Sequence, residues 1–252
     1  MLIISNGAYK SGSTWLFWVL REMTGFPLPP ERYHRPGWNG TGVTPALLGE
    51  FLDKVDYASN NYIFKAHIRY KRHLVLRHSK DIVVMHVTRD IRDVVVSAFY
   101  YERMRGAYQG EGFEPYYWRR GRVVARNVTQ YNALWAKTPN THVSSYEGLK
   151  NDFAAEMTRV ADYLKIPLTP EKIEHLRSAH TIEKMREKYD ETNKDGSMTF
   201  YRKGVIGDWQ QHFDAKMLAD VEAIQEKEKN FPGVLDRIKE WGIYAVLRGK
   251  PE

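Results

Sequence analysis

The sequence predicts an α/β domain in which helices flank a central, mostly parallel β-sheet. A short apolar run opens the chain and passes through a glycine-bearing loop into a helical pattern. Three further runs of strand length follow, Tyr62–Ala66, Asp81–Thr88 and Thr141–Tyr146. Helical periodicity returns after the last two of these, and strands alternating with helices build parallel sheets. No internal repeat or dividing linker interrupts the chain, so residues 1–252 are expected to form one domain.

The opening stretch is the most informative. Leu2–Ser5 reads as a buried strand, Asn6–Ser13 as a small-residue loop, and Thr14–Met23 as a helix with Trp15, Leu16, Val19, Leu20 and Met23 on one face. A turn of this kind aims free backbone N–H groups and the positive end of a helix dipole at an anion. Gly7 and Gly12 are spaced as in a Walker A loop, but Ser13 stands where that loop has its lysine, and the lysine present is Lys10. YKSGSTWL (Tyr9–Leu16) resembles the P-K-S-G-T-T-W-L loop of sulfotransferases that use 3′-phosphoadenosine 5′-phosphosulfate (PAPS). Tyr9 replaces the proline and Ser13 a threonine. The resemblance implies a P-loop NTPase-like sulfotransferase fold. It also implies that Lys10, Ser11, Gly12, Ser13 and Thr14 hold the 5′-phosphosulfate, with Trp15 on one face of the adenine.

Phe26–Pro45 holds five of the eleven prolines and is expected to be a long loop. Its Tyr33, His34 and Trp38 could line an acceptor pocket or anchor the loop. Tyr62–Ala66 delivers Lys65 and His67 to a strand end, where α/β sheets place their ligands. Lys65–Lys80 as a whole carries six Lys or Arg, three His and no acid, and apart from those two residues reads as a mostly solvated helix face. IFKAHI (Ile63–Ile68) resembles the family's K-T-H-L-P segment, without its proline. The likeness makes His67 the base that takes the acceptor's proton and Lys65 a group on the transferring sulfuryl.

Asp81–Thr88 is the clearest buried strand, and Arg89–Met104 turns helical behind it, with Asp90 and Asp93 suited to a first turn. RDIRDVVVS (Arg89–Ser97) resembles the family's R-N-P-R-D-V-x-V-S segment. That implies a 3′-phosphate held by the Arg89 fork and the Ser97 hydroxyl, a pairing suited to a phosphate dianion. Tyr116–Arg122 (YYWRRGR) interleaves bases with aromatics, which suits nucleic acid; with no nucleic-acid motif beside it, a helix covering the acceptor site is expected instead. Thr141–Tyr146 reads as a core strand, and SYEGLKND resembles Y-E-D-L-K-x-D, which brings Tyr146 toward the adenine; Gly148 replaces an acid there. Phe153–Leu164 is an amphipathic helix capped by Asp152, and Thr169–Pro170 caps and opens the next. HTIEKMR (His180–Arg186) resembles S-F-x-x-M-K, with Ile182 in the ring position over the adenine. FYRKGVIGDWQQHF (Phe200–Phe213) reads as a loop and resembles R-K-G-x-x-G-D-W-K-x-x-F, which implies Arg202, Lys203 and the Gly204 amide around the 3′-phosphate. The polar run Asp190–Ser197 before it has the composition of a lid. Helices are expected at Ala215–Lys227 and Val234–Trp241.

The totals agree with an anionic ligand. The chain has a formal net charge of +7, a composition of 42% hydrophobic and 27% charged residues, and no cysteine. Disulfides, thiolate metal sites and cysteine nucleophiles are therefore excluded, and a cytoplasmic setting is expected. No apolar run reaches membrane-span length and no charged leader precedes the first strand, so the sequons at Asn39 and Asn127 are taken as chance. Together the segments imply sulfuryl transfer from PAPS, leaving PAP, to a hydroxyl or amine of a small-molecule acceptor, aromatic or alcoholic. The reaction needs no metal, and no nucleic-acid partner is expected. A P-loop small-molecule kinase is the alternative enzyme, and a basic nucleic-acid-binding protein the alternative of another class.

Overall fold

The computed structural model describes residues 1–38, 40–57, 59–68, 75, 80–190 and 202–231. Strands β1 (Leu2–Gly7), β2 (Tyr62–Ala66), β3 (Ile82–Thr88) and β4 (Thr141–Ser145) lie in the order β2-β1-β3-β4, and all three pairings are parallel. The helices described are α1 (Ser13–Thr24), α2 (Leu48–Lys54), α3 (Ile91–Met104), α4 (Phe113–Tyr116), α5 (Arg122–Ala136), α6 (Tyr146–Asn151), α7 (Phe153–Leu164), α8 (Pro170–Ala179), α9 (Ile182–Asp190) and α10 (Ala215–Glu228).

Successive side chains on a strand point to opposite faces, so continuous apolar runs feed two cores at once. Leu2, Ile4, Phe64, Ile82 and Val84 enter the core shared with α2, α3, α5 and α10. Ile3, Ile63, Met85 and Val87 enter the other, shared with α1, α7 and α8. Phe17 of α1 is fully buried as well, so that helix is covered on more than the expected stripe. Removing such a ring (Phe17→Ala) costs about 3–5 kcal/mol.

Local chemistry sets the helix starts, at Asp152 and Thr169 as the sequence suggests and at Asp90 and Asp214 as the structure adds. Asp90, Asp152, Thr169 and Asp214 each accept a hydrogen bond from a backbone N–H in the first turn of α3, α7, α8 and α10. Two expectations change. β4 is an edge strand rather than a core one, with Val143 37% exposed, because nothing described pairs on its far side. YYWRRGR begins at the end of α4 and runs through a π-helical turn (Tyr117–Gly121) into α5, packing on α10 rather than over a pocket. Tyr116 and Tyr117 are fully buried, Tyr117 donates to Asp220, Arg122 forks onto the same carboxylate, and Arg120 pairs with Glu102. Those pairings make its buried side a structural seam between α3, α5 and α10.

The order of the strands positions the site. The loop after β1 leads by way of α1 toward β2, and the loop after β3 leads toward β4 on the other side. Such a divergence opens a crevice at the carboxyl ends of the two central strands. Within Lys65–Lys80, residues 69–74 and 76–79 lie outside the described residues, as do Asn39, residues 191–201 of the expected lid and loop, and Val234–Trp241.

Candidate active site

A cleft of about 1390 Å³ occupies that crevice, and every residue expected at the site lines it except Ser11. Ser11 is buried, and its N–H and hydroxyl both donate to the Ala8 carbonyl, so it shapes the loop and offers the cleft nothing. Gly12 sits at φ 96°, and a Cβ there would lie 2.7 Å from the Tyr146 ring, so both backbone and space call for glycine. From this turn α1 starts at Ser13 without a side-chain cap, which leaves its first N–H groups facing the cleft.

Cations converge on the turn. Lys10, itself at φ 64°, lies 4.6 Å from the Tyr101 ring centre. Burial lowers its pKa to about 7, helped by the charges of Arg89, Lys65 and Arg202. Lys65 donates to the Thr14 hydroxyl at 2.9 Å, and burial followed by Arg35 lowers it to about 8. Crowding of this kind is unfavourable until an anion arrives. Among the described residues, ten lysines and arginines line the cleft against one carboxylate, Glu183. Among the described residues no acidic or histidine cluster could hold a metal ion.

His67 follows β2, and its Nδ1 lies 2.6 Å from the Gly7 carbonyl oxygen. A carbonyl only accepts, so Nδ1 carries the proton and Nε2 keeps its lone pair on the cleft side. Burial and the Lys65 charge lower this imidazole to about 4, against the opposing pull of the Gly7 bond, so it is neutral at physiological pH.

Arg89 leaves the end of β3, stacks 4.3 Å from the Tyr146 ring centre and donates to the Val205 carbonyl at 3.0 Å. Among the described residues its Nε is buried without a partner, as are Arg202 Nε and Trp15 Nε1. Such orphans around a basic cleft are what a phosphate-bearing aromatic ligand would satisfy. Trp15 packs edge-on to Tyr146, centroids 5.6 Å apart, and is stacked on Phe153. Ile182 presses against Gly204, where a Cβ would fall 2.0 Å from Ile182 Cδ1. At Gly148 the buried Glu156 carboxylate fills the space an acid would need, 2.7 Å from where a Cβ would sit.

Two acids that the sequence did not single out for the site organise it. Asp93, 1% exposed, accepts from the Gly207 N–H at 2.8 Å and the Trp209 N–H at 3.0 Å, tying the 202–209 loop to α3. Asp208 pairs with Arg202 and, at 3.0 Å, with Lys203. Both lie inside quoted motifs, but only the fold reveals that Asp93 reaches the 207–209 segment and that Asp208 ties Arg202 and Lys203 together within it. In the long loop the two open readings divide: Tyr33 is buried as an anchor, His34 Nε2 bonds the Pro29 carbonyl, and Trp38 lines the cleft beside His67.

The family model of the sulfotransferase domain matches residues 2–230. A 3-beta-hydroxysteroid sulfotransferase of Cavia porcellus is 25% identical over 238 residues, covering 88% of this chain and 82% of that protein. Among solved structures, retinol dehydratase in complex with androsterone and the inactive cofactor PAP superposes with a TM-score of 0.68 at 16% identity, covering 90% of this chain and 80% of that one. Mouse sulfotransferase SULT7A1 complexed with PAP gives a TM-score of 0.66 at 17% identity, covering 96% and 88%. At these identities the structural likeness establishes the fold, a P-loop-like α/β sheet.

Proposed function

The chain belongs to the sulfotransferase domain family, and on that footing we propose that it transfers a sulfuryl group from PAPS to a hydroxyl or amine of a small-molecule acceptor. One observation carries the reading: Lys10, Lys65, Arg89 and Arg202 meet in one cleft with a neutral histidine whose free nitrogen faces them. The PAP in the related structures supports the choice of nucleotide for this chain.

The residues divide into roles. Arg89, Ser97, Arg202, Lys203 and the Gly204 amide take the 3′-phosphate, and Trp15, Tyr146 and Ile182 enclose the adenine. Lys10 and the first N–H groups of α1, at Gly12, Ser13 and Thr14, take the 5′-phosphate. Lys65 holds the sulfuryl oxygens. The acceptor oxygen bonds to sulfur as the bond from sulfur to the 5′-phosphate oxygen breaks; the acceptor's proton passes to His67 Nε2, and PAP leaves carrying the electron pair. In-line positioning and charge stabilisation supply most of the rate, and a positioned base about 10²–10⁴-fold. No metal takes part in this scheme.

The His67→Ala variant tests it. Turnover of PAPS with any accepted acceptor should fall at least a hundredfold while PAP affinity stays within a few-fold of the parent, read by calorimetric titration. A variant that keeps its turnover, or loses PAP binding in proportion, contradicts the assignment of the base.

A further inference from the structure

We infer that the acceptor carries an anionic oxygen group besides the hydroxyl it presents, and that Arg35 holds it. This rests on the sulfuryl-transfer reading and adds to it the class of acceptor.

Beyond the cations already assigned to the nucleotide, the cleft continues past His67 between the loop bearing Arg35–Thr41 and the end of α3, which supplies Tyr101, Met104 and Arg105. Trp38 forms the wall next to His67, with ring centres 5.5 Å apart at 79°. Arg35 Cζ lies 4.2 Å from the centre of the same indole, and Lys65 Nζ lies 4.3 Å from it. His67, Arg35 and Lys65 are thus gathered around one indole, so an acceptor whose hydroxyl reaches His67 has the Arg35 guanidinium within the same part of the cleft.

Arg35 is held without being neutralised. Its backbone N–H donates to the Gly42 carbonyl at 2.7 Å, and Gly42 in turn bridges to Lys65, which registers the loop on β2. Among the described residues its guanidinium has no carboxylate partner and no hydrogen bond, while most other cleft-side arginines, such as Arg89 and Arg202, have protein acceptors. Arg105, on the opposite wall 5.2 Å from the Tyr101 ring centre, likewise has no acid partner among the described residues. The charge of Arg35 also reaches both Lys65 and His67, as a lesser cause than burial in lowering each.

A guanidinium stacked on an indole is less hydrated than a lysine ammonium and offers a fork that fits carboxylate, sulfate or phosphate. A neutral acceptor would leave this cation unpaired beside the Lys65 ammonium. An anionic one relieves that repulsion and gains a charge-assisted pair.

The test uses PAP-saturated protein and calorimetric titration of matched phenols: 4-hydroxyphenylacetate against 4-hydroxyphenylacetamide, and 4-hydroxybenzenesulfonate against 4-hydroxybenzenesulfonamide. The anionic member of at least one pair should bind tenfold or more tightly than its amide, and the pair with the larger ratio assigns the group as carboxylate or sulfonate-like. The preference should shrink to less than threefold in Arg35→Gln and survive in part in Arg35→Lys, with PAP affinity unchanged in both. Equal binding within both pairs, no binding of any of the four, or a preference undiminished in Arg35→Gln overturns the proposal. Failure of PAP itself to bind would instead overturn the sulfuryl-transfer reading, and this inference with it.

Discussion

Lys10 shows how a single side chain can be tuned by its company. Its ammonium sits among Arg89, Lys65 and Arg202 in a buried turn, and its pKa drops to about 7. An anion restores the charged form, so binding should draw a proton from solution whenever the free lysine is partly neutral. PAP affinity is therefore expected to fall as pH rises from about 7 to 9, with proton uptake measurable by titrating in two buffers of different ionisation enthalpy. Binding that strengthens over that range, or takes up no proton, contradicts the assignment of Lys10 to the phosphates. Lys10 and His67 were legible in the sequence because each sits in a short motif with a strand before it. Arg35 and Asp93 were not. What Arg35 does depends on which residues lie across a loop 30 positions from β2, and what Asp93 does depends on a segment more than 100 positions away.

The 202–209 loop depends on Asp93 at the scale of elements. Two backbone N–H groups converge on one buried carboxylate in the first turn of α3. Hydrogen bonds to a charged group contribute about 1.5–3 kcal/mol each. Asp93→Ala should cost about 3 kcal/mol or more of unfolding free energy and weaken PAP binding at least tenfold, while Asp93→Asn recovers part of the binding. If PAP affinity is untouched in a folded Asp93→Ala protein, the loop does not hold the 3′-phosphate. Helix ends such as Asp152 and Thr169 were legible because a cap is a local exchange between one side chain and the next turn. The edge position of β4 and the π turn inside YYWRRGR were not, since the first depends on what fails to pair beside the strand and the second on how Tyr116 packs against α3 and Tyr117 against α10.

At the scale of the whole molecule, burial lowers several of the described imidazoles, His67 and His86 furthest among them. His67 and His86 are each lowered to about 4; His86 is enclosed within β3 against Tyr131, with Asn132 opposing the shift. In the unfolded chain a histidine titrates near 6.5, so between about 6.5 and 4 the unfolded state binds more protons than the folded one. Stability is fully present above that window and is lost as pH falls through it, by at most about 3 kcal/mol per histidine. Chemical denaturation at pH 7.5 and pH 5 should show the loss, and His86→Asn should diminish it; equal stability at both pH values contradicts the burial of these rings as neutral groups. The α/β class was legible from the alternation of apolar runs and helical periods. The order β2-β1-β3-β4 was not, because pairing between distant strands leaves no local trace.

The central claim is that this cleft recognises the 3′-phosphate that distinguishes PAP from an ordinary adenine nucleotide. Thermal unfolding of the full chain with PAP, compared with ADP and Mg²⁺ at equal concentration, tests it most directly. At 100 times its dissociation constant, a ligand adds about 2.7 kcal/mol, enough to raise the midpoint by several degrees. Stabilisation by PAP and none by ADP with Mg²⁺ is the predicted result. Stabilisation by ADP with Mg²⁺ alone would contradict it and turn the same loop toward phosphoryl transfer.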